Sequence, residues 1–284
     1  LHGMNIKYCS SSIDRCHKKM TMINFSNKYA LITGGSSGIG AAIAKQLSKE
    51  GCNLFLTGLG SNDLEETKKA CESNGVKVYT IESNFADYSS IDNLVEFVKS
   101  HNVNIDLFVL NAGISQRAKA FDTDFATDQK IMQINYWGAV YLIKKFKEEI
   151  LNAAHTSISV TTSLAGLFGF PLRTSYCSSK HALFGFFESM DLEYDNVSVT
   201  FLIPGRINTN ISKSALLGNG EKYGKMDQGQ AKGLDVDKAA KRAVKAIKKK
   251  KHRKLIGKYE LLMAHINRYL PRLYYVLSKH ISPT

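Results

Sequence analysis

A short apolar run at residues 28–33 passes directly into Gly34-Gly35-Ser36-Ser37-Gly38-Ile39-Gly40, and then into a helix-forming stretch closed by Gly51. Strand, glycine turn and helix in that order leave few folds open. Glycines let the backbone turn sharply and approach a ligand, and the first amides of the following helix point at whatever lies before the turn. A pyrophosphate suits that position. A bare structural turn is the alternative, and the strand–turn–helix context argues against it. The spacing is G-x-x-x-G-x-G, which differs from the G-x-G-x-x-G of many dinucleotide sites.

The rest of the chain keeps the alternation. Strands are expected at 53–57, 76–81, 105–110, 157–161, 197–203 and 253–256, and helices at 63–73, 90–100, 128–151, 175–194 and 237–250. This predicts βαβ units in an α/β fold: a doubly wound, Rossmann-type parallel sheet of about seven strands in three α/β/α layers. At 284 residues one large domain is expected, spanning 23–257. Residues 1–22 read as a disordered polar extension, and 258–284 as an amphipathic helical segment. Only 206–233, rich in Gly, Asn, Ser and Lys, breaks the alternation; it reads as a mobile loop, a lid over a substrate pocket.

Tyr176 and Lys180 stand four residues apart, about one helical turn, with Ser163 thirteen positions upstream. An ammonium beside a phenol favours the phenolate, and a nearby hydroxyl can hold an oxygen that is changing protonation. The trio suits proton transfer to or from an alcohol or carbonyl oxygen. Cys177 reads as a small packing residue.

With these residues assembled, the chain resembles the short-chain dehydrogenase/reductase family. TGGSSGIG at 33–40 matches the family's TGxxxGxG, Asn111-Ala112-Gly113 its NAG, and YCSSK at 176–180 its YxxxK. Ser163 has the family's spacing, Asn135 in INYWGAV matches its active-site Asn, and Pro204-Gly205 with Thr209 matches PG-x-x-x-T. The resemblance covers about 28–256 and implies an NAD(P)(H)-dependent oxidoreductase interconverting a hydroxyl and a carbonyl. It implies that Tyr176 is the general acid in reduction and base in oxidation. Lys180 would depress its pKa and bind the ribose, Ser163 would hold the substrate oxygen, and Asn135 would support a water feeding protons to Lys180. Cofactor contacts would come from Gly34, Ser36, Ser37, Gly38, Ile39 and Gly40, then Gly58, Asn84, Phe85, Asn111, Ala112 and Gly113. Tyr176, Lys180, Pro204, Gly205, Ile207 and Thr209 complete the set. Asn84 stands where the family commonly has Asp.

Thr57-Gly58-Leu59-Gly60 carries no acid for a ribose diol, which speaks against strict NAD use. The hydroxyls of Ser36, Ser37, Thr57 and Ser61 could meet a 2′-phosphate, so NADP(H) is favoured over NAD(H). Leu164, Leu167, Phe168 and Phe170 follow Ser163 and either wall a pocket for a hydrophobic, lipid- or steroid-like alcohol or ketone, or pack the core. A catalytically idle dinucleotide-binding sensor or membrane-recruited scaffold is the rival, and the intact Ser–Tyr–Lys set disfavours it.

The formal net charge is +13, and residues 238–258 hold eleven Lys/Arg and no acid. Beyond them Leu261, Leu262, Ile266, Tyr269, Leu270, Leu273, Tyr274, Leu277 and Ile281 recur at helical spacing, with a kink expected at Pro271. A basic cluster beside such a segment is the pattern of an anionic membrane surface contact. A helix packed over the pocket and an oligomer contact are the competing readings. No nucleic-acid module is present, so no nucleic-acid partner is expected. The resemblance allows a homo-oligomer built on the helices of Asn135 and Tyr176. The five cysteines show no CxxC pair and no metal-ligand spacing, which favours reduced thiols, no metal site, and a cytoplasmic protein that is peripheral on a membrane if the tail docks there. There is no secretory apolar region near the start and no run approaching the roughly 18 apolar residues of a span.

Overall fold

The computed structural model describes residues 22–279. The expected 1–22 extension therefore falls almost wholly outside the described residues, as do Cys9, Cys16 and Ile281. Seven parallel strands form one sheet in the order β3-β2-β1-β4-β5-β6-β7: β1 (Tyr29–Thr33), β2 (Asn53–Gly58), β3 (Val78–Glu82), β4 (Leu107–Leu110), β5 (Thr156–Thr161), β6 (Val197–Pro204) and β7 (Arg253–Ile256). The strand order reverses between β1 and β4, so a crevice opens where their carboxyl ends diverge.

Two strands start later than expected because side chains take over the ladder's bonds. The Asp106 carboxylate accepts from Tyr29 N at 3.0 Å and from Lys28 Nζ at 2.8 Å, so β4 begins at Leu107. Lys77 N donates to Asn53 Oδ1 at 2.9 Å, so β3 begins at Val78.

Alternate residues serve opposite faces of the sheet. Leu31, Phe55, Phe108 and Phe201 enter one core, and Ile32, Leu54, Leu56 and Val109 the other. The first core is covered by α3 (Tyr88–Ser100), α5 (Gly138–Lys145) and α7 (Thr174–Glu193) through Ile91, Leu142, Leu183 and Phe187. The second is covered by α1 (Gly38–Ser48), α2 (Ser61–Glu72) and α9 (Val236–Lys248) through Ile43, Leu47, Leu64, Val244 and Ile247.

The helix expected at 128–151 is not continuous. It divides into α4 (Phe125–Met132), a π turn (Gln133–Trp137), α5 and α6 (Lys147–Asn152). The break at Phe146 (φ −98°, ψ 18°) lets its ring turn into the core against Phe108, and the π turn surrounds Asn135. A short helix, α8 (Gln228–Ala231), lies within 206–233. Beyond β7 come α10 (Leu262–Tyr269) and α11 (Pro271–Ser278), with Pro271 in the first helical turn, where a missing N–H costs nothing. Among the described residues no helix is long and apolar enough to cross a membrane.

Candidate active site

Tyr176 lies in the first turn of α7 with Lys180 one turn further on, and both are buried. Lys180 Nζ donates to the carbonyl of Thr161, the last residue of β5, at 2.9 Å, and lies 5.9 Å from the centre of the Tyr176 ring. Ser163 follows β5, and its hydroxyl is near enough to the Tyr176 phenol to lower its pKa. Its Oγ also accepts from Ala165 N at 3.2 Å, which pins the hydroxyl. A strand end and a helix start thus bring the three predicted residues together.

The π turn, an extra residue per turn of the kind common at functional sites, places Asn135 beside them. Asn135 Oδ1 accepts from Ile114 N at 2.8 Å, and its Nδ2 donates to Ile114 O at 2.9 Å and Ser179 Oγ at 3.0 Å. The side chain is therefore locked to the segment after β4 and to the Tyr176 helix at once. Gly113 borders the space between Asn135 and Lys180. An added Cβ there would stand 3.1 Å from Asn135 Oδ1 and 3.4 Å from Lys180 Nζ.

Burial pushes the Tyr176 phenol above its ordinary value, and the Ser163 hydrogen bond, then the charges of Arg173 and Arg117, pull it back. This corrects the sequence expectation. In this structure the opposing influences on the phenol come from Ser163, Arg173 and Arg117, because the Lys180 ammonium is turned to the Thr161 carbonyl. Burial also lowers Lys180 from 10.5 to about 8.

For Lys180 the folded pKa is depressed, so between about pH 8 and 10.5 the unfolded chain holds more protons and stability rises with pH. At neutral pH the buried ammonium costs roughly 3 kcal/mol. Lys180→Met is expected to raise the urea midpoint at about pH 7 and lose that advantage towards pH 10.5, less about 1 kcal/mol for the lost bond to Thr161. A difference that stays flat across this range would refute burial as the cause.

A sequence model of the short chain dehydrogenases matches residues 28–219. The chain belongs to that family. It is 33% identical over 87% of its length to "Dehydrogenase/reductase SDR family protein 7-like" of Drosophila melanogaster, covering 78% of that protein. It is 31% identical over 88% of its length to "Dehydrogenase/reductase SDR family member 7B" of Mus musculus, covering 79% of it. Its fold matches a Burkholderia phymatum short chain dehydrogenase/reductase solved with NAD: TM-score 0.78, 20% identity, 93% of this chain and 98% of that one. It also matches a Thermococcus sibiricus alcohol dehydrogenase solved with 5-hydroxy-NADP: TM-score 0.71, 24% identity, 82% and 97% covered. The chain is an oxidoreductase of this family.

The glycine turn has the shape to take a dinucleotide of the kind those two structures hold. Gly34 has φ +65°, and a Cβ on Gly40 would stand 2.1 Å from Gly34 O, so only glycine lets α1 approach β1 this closely. A cavity of about 400 Å³ lies in front of the turn, lined by Ser36, Ser37, Gly38, Lys45 and Thr209, with Glu66 and Asp237 also in its wall. Thr33 Oγ1 accepts from Asn111 N at 2.9 Å and Ala112 N at 3.0 Å, while Asn111 Nδ2 donates to Gly34 O at 3.3 Å. Asn111 therefore acts inward, bracing the switch point. One expected contact needs correction, and two are narrowed to the backbone. Phe85 and Ile207 are buried in the cores, Phe85 against Gly138, which leaves only their backbones for a ligand. Thr57, offered as a phosphate contact, is wholly buried inside the sheet. An acid that sequence order concealed stands nearby. Glu82 pairs with Gly58 in register and accepts from Gly60 N at 2.9 Å, so β3 brings a carboxylate to the end of β2. Asn84 is exposed beyond β3, its Oδ1 accepting from Ala86 N at 3.0 Å. Ser36, Gly38, Ile39, Gly113, Gly205 and Thr209 are half-buried, Ser37 is exposed and Pro204 is buried at the end of β6.

On the substrate side the predicted wall divides. Leu164 and Phe168 pack the core, because the short turn after Ser163 directs them under α7. Phe170 is the half-buried ring beside Tyr176, Cys177 and Ala165. The 206–233 segment is tethered, contrary to the mobile loop expected. Leu216 forms a parallel bridge with Gln116, and Asp227 makes a buried ion pair with Arg117 and a 3.6 Å contact with Arg173. Gln116, which sequence reasoning missed, is fully buried and accepts through Oε1 from Ser175 N at 2.9 Å and Tyr176 N at 3.4 Å. It ties the strip that bridges to Leu216 to the start of the Tyr176 helix. Its only signal in the sequence was a position just after NAG.

Proposed function

We propose that this enzyme interconverts a hydroxyl and a carbonyl on a lipid- or steroid-like substrate, with Tyr176 as general acid/base. The observation that carries the reading is the meeting of Ser163, Tyr176 and Lys180 at the end of β5, with Asn135 held beside them. A nicotinamide bound there supplies hydride in reduction and accepts it in oxidation. In reduction, the Ser163 hydroxyl holds the carbonyl oxygen and Tyr176 delivers its phenolic proton to it. Burial keeps that phenol protonated at neutral pH, which suits the donor role. Lys180, brought near neutrality by burial, restores the proton, and the space over Gly113 connects it to Asn135. Phe170 beside Tyr176 favours an apolar substrate.

NADP(H) is proposed over NAD(H), supported by the acid-free end of β2, by the half-buried Ser36 hydroxyl and by Lys45 in the cleft. Glu82 favours the opposite choice. An assay of NADPH and NADH consumption across a panel of hydrophobic ketones tests the whole reading: turnover with NADPH is expected, and none with either cofactor would leave a dinucleotide-binding sensor. Glu82→Gln should improve NADPH binding about tenfold over NADH by fluorescence titration, by removing like-charge repulsion of roughly 1 kcal/mol or more. An anionic membrane surface at the basic C-terminal segment and a homo-oligomer are further partners that we propose. Cys52, Cys71 and Cys177 are free thiols, which supports the cytoplasm.

A further inference from the structure

Helices α10 and α11 form a helical pair bent at Leu270 and Pro271, and its two faces differ in kind. The inner face is pinned to both halves of the site. Tyr274 Oη donates to Gly169 O at 2.6 Å, its ring lies 4.8 Å from that of Phe168, and Asn267 Nδ2 donates to Leu167 O at 3.5 Å. Just before α10, the Glu260 carboxylate accepts from Arg206 N at 3.0 Å and Lys258 N at 3.1 Å. It sits so close to the turn after β6 that a Cβ on Gly205 would stand 2.4 Å from Oε1. This bent pair and the residues just before it therefore back the wall that carries Phe170 and brace the loop after Pro204.

The outer face is apolar where a surface helix is ordinarily polar. Tyr269, Leu270, Leu273, Tyr275, Val276 and Leu277 are each 37–69% exposed. Among them stand the exposed bases Arg268, Arg272 and Lys279, and residues 261–279 contain no Asp or Glu. A contiguous apolar patch of this kind marks a contact surface, and its charge decides between occupants. A second copy seated by two-fold symmetry would bring the same bases together with no acid in the segment to pair them. Anionic headgroups neutralise them instead, while leucine and valine side chains enter the acyl boundary and tyrosines sit at headgroup level.

We infer that this bent helical pair seats on an anionic phospholipid surface and holds the substrate wall at residues 167–170 against it, so that substrate reaches Tyr176 from the bilayer. The inference rests on the lipid-like substrate proposed for the site. Its test requires no chemistry, so a failed ketone panel and a failed docking experiment are distinguishable. The full chain is sedimented with phosphatidylcholine vesicles with and without phosphatidylserine, and amide hydrogen exchange is followed at 167–170 and 262–278. Preferential binding to the phosphatidylserine vesicles is expected, weakened by salt, with exchange slowed in both segments. Leu273→Glu with Val276→Glu, both at exposed positions, should weaken binding by about tenfold or more while NADPH fluorescence titration shows the fold retained. Equal sedimentation with both vesicle types, or of the parent and the double variant, overturns the docking surface. So does a parent dimer that the double variant dissociates without any vesicle binding. Docking with unchanged exchange at 167–170 overturns the route from the bilayer.

Discussion

Tyr176→Phe is expected to lower turnover by about two to four orders of magnitude, the usual contribution of a positioned proton donor. NADPH binding should persist, since the ring and its place on α7 remain. The cost in stability should be small, about 1 kcal/mol, because Ser163 Oγ keeps its bond from Ala165 N at 3.2 Å. Single-turnover rates with a ketone from the panel, set beside fluorescence titration of NADPH, separate chemistry from binding. Near-parental turnover would sink the acid/base role. Ser163→Ala makes a useful companion, since it also removes the hydrogen bond that pulls the Tyr176 pKa down.

Asp227→Ala should destabilise the protein by about 3–5 kcal/mol. Arg117 and Asp227 are only 3% and 4% exposed, so the variant leaves a guanidinium buried without its carboxylate. Arg117 Nη1 would keep its bonds to Ser115 Oγ at 2.9 Å and Gln116 O at 2.6 Å, which hold the charge in place and prevent escape to water. Urea unfolding measures the loss. The double variant Arg117→Met with Asp227→Leu should recover most of it, because an apolar pair avoids the desolvation cost altogether. A loss below about 1 kcal/mol for Asp227→Ala would place the pair in water and free the 206–233 segment from its tether.

Much of the fold was legible along the chain because its signals are local. The glycine turn at 34–40, the strand–helix alternation and the kink at Pro271 depend on neighbours in sequence, and each stands where expected. The helix at 128–151 misled because its composition is helical throughout. Only the tertiary demand to tie Asn135 to Ile114 and Ser179 opens a π turn there. Leu164 and Phe168 misled for a related reason: position after Ser163 says which residues are near the site, not which way they point.

By itself the sequence determined the doubly wound sheet and the glycine turn, and its motifs and spacing pointed to Asn135, Ser163, Tyr176 and Lys180, which the structure brings together. Tertiary structure alone decided three things. It set Glu82 beside Gly60 across a strand pair. It joined Arg117 to Asp227 over 110 residues, turning an apparent loop into an anchored segment. It also gave the bent C-terminal helical pair one face on the site and one in the open. Each depends on which distant segments share a dielectric environment, and charge, burial and pKa follow from that neighbourhood rather than from order along the chain.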